Sequence, residues 1–372
     1  MTVTRDFDYV VVGSGFWGAT IARKIAESDR KVLVLEKRNH IGGNSYSYAD
    51  AKTNVEIHKY GSHIFHTSDY DVWQFVTQFA EFNNYRHQIM ANVAGELYEF
   101  PINTNTIRKV FDADEIPDLV EVDTPMNFQQ AALKSVGKTL YEMFYKGYTE
   151  KQWGCDAHEV PASMFSRVPV RNDTRRDYFN DIHVGVPIDG YGSLFKRMLD
   201  HENILVLTNT VYGDAKLKSD AKIFYSGPLD ELFNFRAGQL SWRSLWFTLE
   251  WMDRPSYQGE TIVNYPDKEI RHTRVHEYKH YWPHKNVAKD RTVFSYEFPA
   301  DCWRRDKGIW VDEPYYPVRA PHDVKIQKNY EDICMYDKRD IIPGGRLGSY
   351  RYLNMDQTVK EALKTYDNHF KT

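Results

Sequence analysis

With 372 residues and 42% hydrophobic composition, the chain can bury a large core and fill more than one domain. Its formal net charge of −4 supplies no global basic field, which argues against nucleic acid as a partner. Cys155, Cys302 and Cys334 lie far apart with no CxxC pair, so neither a disulfide framework nor a cysteine zinc site is expected, and a reducing compartment fits.

The apolar, β-branched run at 9–12 reads as a buried parallel strand that breaks at Gly13. It starts too close to the N-terminus to leave room for a secretory leader, and no apolar stretch approaches membrane-spanning length. A cytoplasmic protein without membrane insertion is therefore expected. Gly13, Gly15 and Gly18 follow the strand at GxGxxG spacing, with Ser14 and Phe16 between them. Gly13 suits the tight turn, Gly15 lets the backbone approach a pyrophosphate, and Gly18 lets the next helix pack on the strand. That helix, 16–28, points its N-terminal NH groups at the anion. A second strand at 31–35 delivers Glu36, whose carboxylate can accept from ribose hydroxyls and disfavours a 2′-phosphate. Lys37, Arg38, Ile41, Gly42, Gly43 and Asn44 continue the site beyond what a simple nicotinamide fold needs, which points to a longer cofactor, FAD.

The α/β pattern runs on to about Glu81 through a helix from Ser68 that sets Val72, Phe75, Val76 and Phe79 on one face. A strand pair is expected at 88–93 and 96–100. From 104 to 153 the pattern is helical, with Thr124 as N-cap before Pro125 and a further helical segment at 138–148. Short buried strands at 204–208 and 222–226 return to the first sheet. Residues 243–298 are strand-rich with period-two alternation, as in an antiparallel sheet. The last 30 residues lead through Ile341–Arg346 into a helix from about Asp356, with Val359, Leu363, Tyr366 and Phe370 at helical spacing. The fold class expected is α/β: a discontinuous Rossmann-like FAD-binding domain (1–85, 191–240 and 317–372), an inserted helical domain (103–165) and a twisted antiparallel β-sheet domain (86–102, 166–190 and 241–316).

The segments GSGFWG, EKRNHIGGN, HKYGSHIFHT, KGYTEKQWG, RVPVR, EPYYPV and GGRLGSYRY, in that order along nearly the whole chain, closely resemble bacterial UDP-galactopyranose mutases. The resemblance implies an isomerase that interconverts UDP-galactopyranose and UDP-galactofuranose through a covalent adduct at N5 of reduced FAD, with no net redox change. It implies Arg167 and Arg274 as the catalytic pair on the diphosphate, with Tyr178, Tyr316 and Tyr352 bonding the same group. Tyr148, Thr149 and Trp153 match residues at the nucleotide and sugar, Phe144 and Tyr145 line the same wall, and Asn264 reads uracil. On the cofactor side it implies His63, Ile64 and His66 against the flavin ring, Val211 at the adenine, Arg346 at the pyrophosphate, and Asn354, Met355, Asp356 and Gln357 at the flavin end, with Tyr352 nearby. His87 stands where some members carry asparagine near the substrate, and Asn354 where some carry aspartate. Arg171, Arg175 and Arg176 read as a solvated basic loop. His63 and His66 are three apart but have no third ligand cluster, so no metal is expected. The family further implies a homodimer, and a reduced pyridine nucleotide as external reductant.

Two other readings share the first domain. An amine-oxidase-type flavin oxidoreductase would leave RVPVR and KGYTEKQWG without a purpose. A binding protein resembling GDP dissociation inhibitors would not need an intact Gly13, Gly15, Gly18, Glu36 and Arg346.

Overall fold

In the computed structural model, the described residues are 7–371 without 216, 218, 219, 283–286, 302, 305–308, 311 and 312. Cys302 thus lies outside them, and Cys155 and Cys334 are both free thiols. Strand Tyr9–Val12 is the centre of a five-stranded parallel sheet ordered Ile341–Pro343, Lys222–Tyr225, Tyr9–Val12, Val32–Leu35, Ile204–Leu207. Val12 lies opposite both Leu35 and Tyr225, so the turn at Gly13 and Glu36 both follow the carboxyl ends of the central strands. Helices cover both faces, as the apolar runs require. Phe16–Ala26, Gly190–Leu199, Met355–Phe370 and Tyr70–Val76 share one core with Val11, Val34 and Phe224. Tyr330 and Cys334 of helix Pro321–Tyr336 pack with Leu33, Ile223 and Tyr225 on the other. Helices Gly190–Leu199 and Pro321–Tyr336 were not expected: Gly190 and Gly192 blunt the signal of the first, and polar residues dominate the second.

A second sheet has seven strands ordered Tyr316–Pro317, Trp242–Met252, Thr292–Asp301, Arg274–Glu277, Ile262–Asn264, Ile89–Val93, Glu96–Phe100. It is not wholly antiparallel as expected, because Ile262–Asn264 runs parallel to Ile89–Val93. The long excursion through the helical insertion lies between these strands, and such a crossover is what permits a parallel pair.

Within the insertion, the helix starts at Phe128, three residues beyond the expected Pro125. Asn127, not Thr124, is the cap, its side chain accepting from Gln130 N at 2.9 Å. The earlier helix likewise starts at Tyr70, capped by Asp69 through Val72 N. Gly137 breaks the insertion helix at φ +71°, and the chain resumes a helical path at Lys138, the expected start of the further segment. Asp118 caps this restart by accepting from Thr139 N at 2.7 Å. A π-helical stretch, Tyr141–Lys146, then widens the helix before Gly147–Trp153. Such widened turns re-aim side chains and are frequent at functional sites. Among the described residues no helix is long and apolar enough to cross a membrane.

The second sheet also buries Glu277, fully shielded at the end of its strand. Its carboxylate accepts from Tyr257 N and Gln258 N, both at 2.9 Å, and from the Thr292 hydroxyl at 2.6 Å, with His280 at 3.1 Å. Burial alone would raise its pKa, but His280 and these donors outweigh it and hold the group at about 2 against an ordinary 4.5. A lowered carboxylate pKa contributes stability above about 4.5 that is lost as pH falls towards 2. Glu277→Gln should therefore lower unfolding free energy at pH 7 by about 2–3 kcal/mol and flatten the acid limb of stability between these pH values, read by urea melts across pH.

Candidate active site

The glycine turn and Glu36 build the first cavity. Gly13 takes φ +92°, and a Cβ at Gly18 would sit 2.0 Å from the Gly13 carbonyl oxygen, so the helix lies directly beneath the turn. Glu36 is buried, accepting from Ser14 N at 3.0 Å, Ser14 Oγ at 2.6 Å and Arg38 N at 3.0 Å. Ser14 Oγ in turn accepts from Gly42 N at 3.2 Å, tying the second glycine loop to the first. Gly13, Ser14, Gly15, Phe16, Glu36, Lys37, Arg38, Gly43, Asn44, His63, Val211, Arg346 and Met355 line the resulting cavity. Trp17, Ser226, Glu231, Glu313 and Thr358 line it too and were not foreseen.

Other expected cofactor residues lie off this wall. Gly18 is under it, and Ile64 is buried in a core cluster with Val55 and Ile57. Gln357 is exposed, its Oε1 accepting from Asn354 N at 3.0 Å. Asp356 faces His66 and Asp181, with burial raising its pKa. Tyr352 belongs to a second cavity, and Asn354 Oδ1 accepts from Arg167 Nη2.

The donor set fits a dinucleotide. Arg38 Nη2 is engaged by Asn44 and Glu313, yet Arg38 Nε and Nη1 are buried without a partner in the described structure. Two unsatisfied guanidinium donors beside a buried ribose-type acid call for a ligand rich in oxygen acceptors. His63 Nδ1 bonds the Gly61 carbonyl at 2.7 Å, and burial pushes its pKa down to about 4, so it faces the cavity as a neutral imidazole. His66 instead stacks on Phe179 at 3.8 Å and bonds Asp181 at 2.7 Å, so the two histidines serve separate neighbours.

The second cavity lies between the helical insertion and the seven-stranded sheet. Phe144, Tyr145, Tyr148, Thr149, Trp153, Arg167, Tyr178, Asn264, Arg274, Tyr316 and Tyr352 line it together, with Phe100, Phe128, Gln152, Met164 and Val168. Asn264 and Arg274 are cross-strand partners, which is why two residues ten apart reach one wall. Tyr148 and Gln152 are four apart on one helix, spacing that could have exposed Gln152 in the sequence. Tyr145 OH, Tyr148 OH, Gln152 Oε1, Asn264 Oδ1 and Arg274 Nε are buried with no hydrogen-bond partner in the structure described. Each such group costs about 1–3 kcal/mol if nothing satisfies it, so five on one cavity point to a polar ligand.

The cations are set on aromatic faces. The Arg167 guanidinium lies 3.9 Å from the Tyr352 centroid, and Arg274 lies 5.6 Å from Tyr148. Tyr316 and Tyr352 stack at 5.1 Å and 7°. Arg346 reaches towards both, 5.5 and 5.0 Å from their centroids, while donating to Leu353 O. Arg274 approaches the buried Glu297 at 3.8 Å. Burial works against ionisation of Glu297, but Arg274 and His276 outweigh it and lower its pKa.

His87 is not on the wall. It is buried behind it, its carbonyl accepting from Tyr178 N at 2.8 Å and its Nδ1 3.1 Å from the Tyr85 hydroxyl. Burial, with Arg274 and His276 adding to it, pushes its pKa down to about 3. The basic loop is also less solvated than expected: Arg171 is buried and donates to Asp177 O, and Arg176 pairs with Glu260 at 3.1 Å.

The profile of the GLF family, UDP-galactopyranose mutase, matches residues 143–352, from the π-helical stretch to Tyr352. The chain belongs to this family. A Rossmann-like NAD(P)-binding domain profile matches residues 11–79. The probable UDP-galactopyranose mutase of Klebsiella pneumoniae is 38% identical, the match covering 96% of this chain and 93% of that protein. The dTDP-fucopyranose mutase of Escherichia coli is 37% identical, with 97% and 98% covered. A crystal structure of reduced UDP-galactopyranose mutase has the same fold, with TM-score 0.78 at 15% identity over 98% of this chain and 94% of that one. The family implies a flavin cofactor, and the fold carries a Rossmann-like dinucleotide domain. Glu36→Ala should reduce the flavin retained per chain at least roughly tenfold, read from visible absorbance of dialysed protein, since it removes the ribose acceptor and releases Ser14.

Proposed function

We propose that the protein interconverts UDP-galactopyranose and UDP-galactofuranose, with FAD in the first cavity and the nucleotide sugar in the second. The observation that carries this reading is the pair Arg167 and Arg274 on a cavity whose unpartnered polar atoms and aromatic walls suit a nucleoside diphosphate. It adjoins the cofactor cavity at the Tyr316–Tyr352 stack. When bound and reduced, FAD supplies nucleophilic chemistry at N5 with no net redox change. Arg167 and Arg274 hold the diphosphate and stabilise the charge that grows on it as it leaves the anomeric carbon. Tyr178 and Tyr316 stay protonated because burial raises their pKa, so each presents an O–H donor to the same oxygens. Phe144, Tyr145, Tyr148 and Trp153 enclose the base and sugar and exclude water, and Asn264 and Gln152 bond the polar edge of the base. With this reading we propose the domain boundaries given above, a homodimer in the cytoplasm and a reduced pyridine nucleotide as electron source.

An oxidase would have no use for two arginines facing a nucleoside-like wall. The E. coli relative's name introduces dTDP-fucose as a competing substrate within the same reaction class.

Purified protein incubated with UDP-galactofuranose, with and without dithionite, should form the pyranose only under reduction. Absence of conversion under reduction would sink the proposal, and faster conversion of dTDP-fucofuranose would reassign the sugar. Arg167→Ala should lower kcat by roughly 100-fold while bound flavin is retained; a colourless variant would mean that Arg167 serves the other cavity.

A further inference from the structure

The helix Gly147–Trp153 carries Tyr148, Thr149, Gln152 and Trp153, and the strands ending and starting at Asn264 and Arg274 carry the opposite wall. The cavity keeps its shape only if the helix and the 265–273 turn that joins those strands hold a fixed distance. Lys151, on the same helix, reaches into that turn. Its ammonium donates to the carbonyl oxygens of Tyr265, Asp267, Ile270 and His272 at 2.5, 2.9, 2.9 and 3.0 Å. Four carbonyls converge on a group with three N–H donors, so the turn is folded round a cation, with the lysine as that cation. Gly147 sits against the same turn: a Cβ there would fall 2.3 Å from the Pro266 carbonyl oxygen. The other end of the helix is held separately, by the buried Arg243 donating to Gln152 O at 2.8 Å and Lys151 O at 3.1 Å.

We infer that Lys151 is a positioning residue for nucleotide binding, whose ammonium locks the helix bearing Tyr148, Gln152 and Trp153 to the turn between Asn264 and Arg274. The lysine itself is absent from the cavity wall; it acts through the residues it spaces. Without it, four inward-pointing carbonyls lose their donor and the turn opens, carrying Asn264 away from Tyr148. An ammonium of the right size supplied from solution restores the filling, because the turn binds charge and N–H donors and not the lysine stem. This inference rests on the second cavity being the nucleotide site.

The test is UDP affinity by calorimetry on the flavin-loaded protein. Lys151→Ala should weaken UDP binding at least tenfold with flavin content unchanged, and ethylammonium chloride should recover a substantial part of the loss where sodium chloride at equal ionic strength does not. Lys268→Ala, which removes only the exposed partner of Glu150 on the same turn, should stay within twofold of wild type. If wild-type protein fails to bind UDP, the nucleotide reading itself is lost. If wild type binds and Lys151→Ala binds equally well, or weakly with no recovery in ethylammonium, the positioning role is refuted. Should Lys151→Ala not accumulate as folded protein, Gly147→Ala probes the same joint: weakened UDP binding with flavin retained supports the role, and unchanged affinity refutes it.

Discussion

Two tyrosine rings, Tyr316 and Tyr352, lie parallel 5.1 Å apart where the cofactor cavity and the aromatic cavity meet. They come from distant parts of the chain. Tyr316 is on the edge strand, paired to Arg243 of the seven-stranded sheet, and Tyr352 follows the short helix Gly345–Gly348 beside the glycine turn. Their stack therefore fixes where one sheet's edge sits against the cofactor segment. Arg167 arrives onto Tyr352 from the 3-10 turn Ala162–Arg167, where the chain leaves the helical insertion, and Arg346 from the cofactor side. Three architectural pieces thus meet on one aromatic surface. Each cation–ring contact is worth only about 0.5–2 kcal/mol, so the stack orients the guanidiniums more than it binds them.

Orientation without neutralisation is the electrostatic theme of the site. The chain as a whole carries −4, yet Arg167, Arg274 and Arg346 gather around this junction. Glu297 is the carboxylate paired with Arg274, at 3.8 Å, but it is also bonded by His276 Nε2 at 2.9 Å and Thr273 Oγ1 at 3.2 Å. Shared among three partners, it leaves Arg274 Nε unpartnered on the cavity side. Neutral histidines continue the pattern, since burial keeps His63 and His87 uncharged at neutral pH and adds no competing charge. A dianionic diphosphate bound here as proposed would meet donors that are already placed and incompletely satisfied, which is the condition under which fixed charges act most strongly.

The glycine turn was legible because each of its residues answers a steric demand that spacing alone exposes. Gly18 beneath Gly13 is one case, and Glu36 at the end of the second strand another. Local signals also gave the restart at Lys138, where Gly137 breaks the helix. What failed was non-local. The parallel joint between Ile262–Asn264 and Ile89–Val93 depends on how the chain returns from an insertion, which periodicity does not encode. Asn127 displaced Thr124 as cap because the choice among neighbouring acceptors depends on where the helix docks. Ile64 packs in a core cluster with Val55 and Ile57 while its neighbour His63 lines the first cavity, a division between adjacent residues that motif matching alone does not make. The second cavity came from motif resemblance and not from pattern: a Tyr and a Trp at helical spacing would otherwise read as packing. Glu313 was missed for the same reason, since only the fold brings it to Arg38.

Asn354 shows how one neutral substitution serves this arrangement. Its Oδ1 accepts from Arg167 Nη2, and its backbone N–H is held by Gln357 at the start of the last helix. A carboxylate in its place would form a full ion pair with Arg167 and would have to be out-competed by any anionic ligand approaching the same guanidinium. An amide oxygen fixes the direction of the arginine through one hydrogen bond and leaves its charge uncompensated. The amide also caps a helix N-terminus, where the aligned peptide dipoles favour anions, without adding a second carboxylate to the Asp356 already in the first turn. Arg167 is thereby aimed by a neutral group on one side and an aromatic face on the other, and its charge remains for the ligand.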